Sequence, residues 1–129
     1  MKKYHKDLVV TAADLDALQH VNNVRYLEWV QEVSKEHWEE LALPGWDDKY
    51  LWVVKSHAIT YHRPALEGMV LRLSTSVPEA RGALCRRVVE VEEKNTGLRI
   101  ADCTTEWVLL DRNGGRPIRM PEEVRLAFI

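Results

Sequence analysis

One long amphipathic helix, followed by little except strand-like sequence, sets the strongest limit on what this chain can fold into. The helical pattern begins near Asn22 and ends at Pro44-Gly45. At about 100° per residue, Tyr26, Leu27, Val30, Val33, His37 and Leu41 share one face, and Arg25, Glu28, Glu32, Lys35, Glu36 and Glu39 lie opposite. Asn22 or Asn23 suits the N-cap, because a short polar side chain can accept from a free first-turn amide. Before the helix, residues 4–12 read as a strand, centred on Leu8-Val9-Val10-Thr11. After it come Leu51 to His62, rich in Val, Ile, Thr and Tyr, and then Met69 to Val77, where Met69, Leu71, Leu73, Thr75 and Val77 alternate with more polar positions. Pro78 to Gly82 reads as a connection. Residues 83–93 and 98–110 are two further strands, with Asn95-Thr96-Gly97 as the hairpin turn between them. Ala101, Cys103, Thr105, Trp107 and Leu109 share a face of the last strand. Asp111 to Arg116 is another turn, and Pro121 to Leu126 a short closing helix with Pro at its start.

The order is strand, long helix, four strands: an α+β chain with a five-stranded antiparallel sheet wrapped around one helix. A length of 129 residues fits a single domain, 1–129, with no repeat or low-complexity tract. One helix cannot cover both faces of such a sheet. Either one face is solvated, or a second copy supports it. The net charge is −2 with both signs scattered, which argues against nucleic-acid binding. Cys85 and Cys103 lie in strand-like segments outside any CxxC pair and read as small buried hydrophobes. No signal peptide is apparent and no apolar run approaches the ~20 residues that span a bilayer, so a cytoplasmic setting is expected.

The stretch Asp14-Leu15-Asp16-Ala17-Leu18-Gln19-His20-Val21-Asn22-Asn23-Val24 resembles the Asp-x-Asp-x-x-Gly-His-Val-Asn-Asn signature of hotdog-fold thioesterases. These include the 4-hydroxybenzoyl-CoA thioesterase family and related bacterial acyl-CoA thioesterases. The local string is closer still to plant-type acyl-ACP thioesterases, where Gln precedes the His and a Tyr and a Trp follow. Ile59 to Gly68 resembles a strand-turn-strand element of the same families. Leu18 and Pro64 stand where the plant-type enzymes carry an Asn and a Glu, so their extended catalytic network is not carried over intact. Gln19 stands where most bacterial relatives have Gly. The resemblance implies a hotdog fold, a homodimer or dimer of dimers with sites at the dimer interface, and Asp16 as the catalytic carboxylate.

The chemistry fits those residue types. Thioester hydrolysis needs a base or nucleophile beside the carbonyl carbon and donors aimed at the developing oxyanion. Asp16 can activate water or attack directly. The helix start offers amides without intrahelical partners at the positive end of its dipole, and the backbone N–H of Asn23 is the expected oxyanion donor. His20 either locks the turn or acts in catalysis. Asn22, Tyr26, Tyr61 and Arg63 are candidate substrate-binding residues, although Tyr61 and Arg63 equally suit a role covering the sheet. Asp14 reads as structural, and His37 as a core or pocket-wall residue. His57 and His62 lack metal-ligand spacing, and no metal or other cofactor is expected. The substrate is expected to be an acyl-CoA or acyl carrier protein thioester. Enoyl-thioester hydration or dehydration, and acyl-thioester binding without turnover, are the competing readings.

Overall fold

A computed structural model describes all 129 residues. Strand β1 (Lys3–Val9) precedes a single 3-10 turn, Ala12–Asp14. Helix α1 (Asn23–Leu41), a four-residue helix α2 (Trp46–Lys49), strands β2 (Tyr50–Tyr61), β3 (Val70–Arg81), β4 (Leu84–Glu93) and β5 (Arg99–Asp111), and helix α3 (Glu122–Ala127) follow. The five strands form one antiparallel sheet in the order β1-β3-β4-β5-β2. This is the expected hotdog arrangement.

Strand alternation decides what the sheet buries. Leu71, Leu73, Thr75 and Val77 of β3, Cys85, Arg87, Val89 and Val91 of β4, and Ala101, Cys103, Thr105 and Leu109 of β5 are all buried. Helix α1 lays Tyr26, Trp29, Val30, Val33, Ser34, His37 and Trp38 on the core side. The resulting core has two parts. One gathers Val10, Tyr26, Val30, Leu71, Val89 and Ile100 around the first half of α1. The other gathers Trp38, Trp46, Leu109, Val124 and Phe128 around its last turns. Fully burying one such side chain contributes roughly 1.5–3 kcal/mol, so both parts hold the helix on the sheet.

Four sequence expectations needed correction. The buried face of α1 is wider than predicted and includes Trp29, Ser34 and Trp38, while Leu27 and Leu41 are only half-buried. Strand β1 stops at Val9 rather than residue 12. Residues 78–82 are not simply a connection: β3 continues to Arg81 through a register shift between Ser76 and Glu79. Pro78 sits at that irregularity, where a missing N–H costs no ladder bond. Helix α2 was not foreseen. It is held by Trp46, which is buried and stacks on Trp38 at 5.5 Å between ring centroids.

Candidate active site

The segment before α1 folds back on itself. Leu15 and Val21 form an isolated antiparallel bridge. The Asp16 amide donates to the His20 carbonyl at 2.8 Å, and the Asn22 amide to the Asp14 carbonyl at 2.9 Å. The Val21 amide donates to the Ala65 carbonyl at 3.0 Å, tying the loop to the segment after β2. These bonds fix a tight hairpin, residues 14–22, at the head of the helix. Asn22 is the N-cap: its Oδ1 accepts from the Val24 amide at 3.0 Å.

Asp14 anchors this hairpin. It is buried, and its carboxylate accepts from the Thr11 amide (2.8 Å), the Thr11 hydroxyl (3.2 Å) and Arg25 Nε (2.9 Å). Burial works to raise this carboxyl, but the Thr11 and Arg25 donors outweigh it and hold it below the usual carboxylate range. Arg25 in turn lies over the Trp29 ring at 5.4 Å. The structural role read for Asp14 therefore has a definite geometry.

Asp16 differs. It is half-buried at the tip of the hairpin. One carboxylate oxygen, Oδ1, accepts from the Leu18 amide at 2.9 Å and more weakly from the His20 amide at 3.4 Å. The other, Oδ2, accepts from no group of the chain, so the turn orients the carboxylate and leaves one oxygen without a partner. The turn brings Gln19 to φ 63°, the left-handed region that favours glycine. A glycine would adopt this conformation without a steric penalty.

Asn23 is the first helical residue. Its amide precedes the first intrahelical bond and donates to no protein group, whereas the next two amides are taken by Asn22. Tyr61, at the far end of β2, reaches the same helix start, its hydroxyl 3.4 Å from the Asn23 carbonyl. Tyr26 is a core residue at 2% exposure, its ring 5.4 Å from that of Tyr61. Burial pushes its phenol up to about 12, so it stays neutral. Thus Asn22, Asn23 and Tyr61 meet at the head of α1, with Tyr26 beneath, and the hairpin that carries Asp16 and His20 leads directly into it. Arg63 is exposed and its side chain bonds to none of them.

A cavity of about 370 Å³ lies elsewhere, beside the last turns of α1, lined among others by Trp38, Trp52, Arg87, Trp107 and Phe128. A second, of about 270 Å³, is lined by Thr11, Asp14, Arg25 and Trp29. Asp16 lines neither. The larger one escaped sequence reasoning. The one available signal was Arg87 itself, a charged residue in the inward register of β4. His37 meets it: Arg87 Nη1 donates to His37 Nδ1 at 2.8 Å. Burial, then the Arg87 charge, hold His37 down to about 4, so it is neutral. Cys103 lies 3.9 Å from His57 Nδ1, but this is no activated pair. That nitrogen is shared with Thr105 at 2.8 Å, and burial pushes the thiol above its ordinary value.

A family model described as the thioesterase-like superfamily matches residues 10–128. The long-chain acyl-CoA thioesterase FadM of Escherichia coli (strain K12) is 28% identical over 115 residues, covering 86% of each chain. Among solved structures, a mutant 4-hydroxybenzoyl-CoA thioesterase complexed with 4-hydroxybenzoyl-CoA superposes with a TM-score of 0.89 over the whole of both chains, at 16% identity. A 1,4-dihydroxy-2-naphthoyl-CoA thioesterase from Synechocystis superposes at 0.85, with 15% identity, over 98% of this chain and 96% of that one. A probable thioesterase from Escherichia coli gives 0.83 at 24% identity, over 95% and 94%.

Proposed function

Since the chain belongs to the thioesterase-like superfamily, we propose that it hydrolyses an acyl-CoA thioester to free acid and thiol, with Asp16 at the reacting carbonyl. The observation that carries this reading is the pairing of a half-free carboxylate with a free helix-head amide, joined by one rigid hairpin. The substrate carbonyl sits with its oxygen toward the Asn23 N–H and its carbon toward Asp16 Oδ2. Asp16 takes a proton from the attacking water, or itself attacks to form a mixed anhydride that water then hydrolyses to free acid and carboxylate, and the negative charge that develops on the carbonyl oxygen meets the amide and the helix dipole. Collapse expels the thiolate. His20 completes the turn through its backbone, and Tyr61 and Arg63 are assigned to the substrate arm. Similarity to a long-chain acyl-CoA thioesterase supports coenzyme A as carrier. An acyl carrier protein is the second carrier to test.

The site takes its remaining wall from a second copy. β2 is a 12-residue edge strand paired on one side only, with Leu51, Val53 and Tyr61 exposed along it. An unpaired edge of that length invites another strand, and pairing two β2 edges makes a homodimer, which can pair again. Sedimentation should then give a dimer or tetramer. No helix is long and apolar enough to cross a membrane, and two free buried cysteines accord with a cytoplasmic setting.

The test is thiol release from a panel of acyl-CoA and acyl carrier protein thioesters. Asp16→Asn keeps an oxygen for the Leu18 amide but loses the base. It should lower turnover on the order of 10²–10⁴-fold with an unchanged unfolding transition. Near-normal turnover in that variant would overturn the assignment. Enoyl absorbance change without thiol release would point to the hydratase chemistry instead.

A further inference from the structure

Arg87 is 3% exposed, and its side-chain hydrogen-bond partners in the chain are His37 and Thr75, neither of them a carboxylate. Its hydrogen bonds within the chain both run through Nη1, to His37 Nδ1 at 2.8 Å and to the Thr75 hydroxyl at 3.0 Å. Both partners are neutral. Its remaining contact is the Phe128 ring, 5.9 Å from the guanidinium carbon. Buried charges are normally paired, and a guanidinium cannot discard its proton near neutrality as a lysine or histidine can. Burial brings its pKa down only to about 10, so the cation persists. Nε and Nη2 are left with donors and no acceptor from the chain. Trp107 Nε1 is itself a fully buried donor without a partner. Arg87 and Trp107 line the same cavity of about 370 Å³, whose other walls include Trp38, Trp52 and Phe128.

We propose that this cavity binds an apolar carboxylate, its acid group on Arg87 and the Trp107 N–H and its apolar body against Trp38, Trp52 and Phe128. The Arg87 cation asks for an anionic acceptor and the Trp107 N–H for an oxygen beside it, and the aromatic walls ask for a flat or aliphatic body. A volume of this size is in the range of small-molecule sites. Two sources share the chemistry: a free carboxylic acid, or a thioester whose acyl group ends in a second carboxylate. This site stands whether or not Asp16 is catalytic.

Titration of the full-length protein with 2-naphthoate and with the neutral 2-naphthalenemethanol, followed by calorimetry and tryptophan fluorescence, tests it. The acid should bind at least tenfold tighter than the alcohol. Arg87→Met should erase that preference while still binding the alcohol, and Arg87→Lys should restore part of it. Trp107→Phe, which removes the N–H and keeps a ring, should weaken the acid several-fold and leave the alcohol unchanged, and it reads out independently should Arg87→Met not fold. Asp16→Asn should bind both ligands as the native chain does, which separates this site from the catalytic reading. Faster thiol release from suberyl-CoA than from octanoyl-CoA assigns the terminal-carboxylate source, whereas acid binding without that preference assigns the free acid. Equal affinity for acid and alcohol, no binding of either, or an acid preference that survives Arg87→Met would overturn the proposal.

Discussion

Proline at position 23 offers a way to delete one backbone hydrogen-bond donor and almost nothing else. Asn23 is the first residue of α1, the position where proline is best tolerated, since its amide has no intrahelical acceptor. Proline also requires an extended residue before it. Asn22 already has φ −62° and ψ 135°, inside the region allowed before proline. The Asn22 cap on the Val24 amide is untouched, as is the carbonyl that Tyr61 approaches. Asn23→Pro should therefore shift stability by less than about 1 kcal/mol. If the amide serves the oxyanion, its loss should cost about 10²–10³-fold in kcat, or roughly 3–4 kcal/mol of transition-state stabilisation. Asn23→Ala is the matched control: the side chain is exposed and the amide is retained, so its rate should stay within about threefold of the native enzyme. Steady-state thiol release with a saturating acyl-CoA, alongside urea unfolding, measures both quantities. Equal rates for the proline and alanine variants, both folded, would show that the oxyanion is not held by this amide.

Two further outcomes follow from charge and backbone strain. His37 titrates at about 4 in the fold against 6.5 unfolded, so the unfolded chain takes up this proton first as pH falls. Stability intact above pH 6.5 is then lost at about 1.4 kcal/mol per pH unit down to about pH 4, roughly 3 kcal/mol in total. His57, also held down by burial, likewise costs stability as pH falls below 6.5. Urea titrations should show His37→Gln removing most but not all of the slope between pH 6.5 and 4.5, and an unchanged slope would contradict the assignment. At Gln19, relief of the left-handed strain offsets the chain entropy that glycine adds, so Gln19→Gly should fall between neutral and about 1 kcal/mol stabilising. Gln19→Val should cost more than about 1 kcal/mol; a glycine variant clearly less stable than the native chain in the same assay would count against this.

The parts of the molecule written in local periodicity were legible in the amino-acid order. The α1 stripe and the alternation of Leu71, Leu73 and Thr75 each depend on neighbours a few positions away. The head of the helix was legible too, because capping and turn chemistry are local. Pro78 misled because proline breaks a regular ladder, and only the register against β4 shows that the ladder already skips there. Helix α2 has four residues and exists because Trp46 finds Trp38. The aromatic cavity draws Trp38 from α1, Trp52 from β2, Arg87 from β4, Trp107 from β5 and Phe128 from the tail. No window of sequence contains that assembly.

The division of the core into two parts has a consequence for how such a protein can diversify. Its proposed cleavage chemistry rests on the first turn of α1, whereas the aromatic chamber flanks the helix from Gln31 onward, about 12 Å further along at 1.5 Å per residue. Replacements at Trp52 or Trp107 can remodel the chamber without disturbing the Asp14–Arg25 lock. A library randomised there would vary the proposed carboxylate site, because both positions pack on the second part of the core.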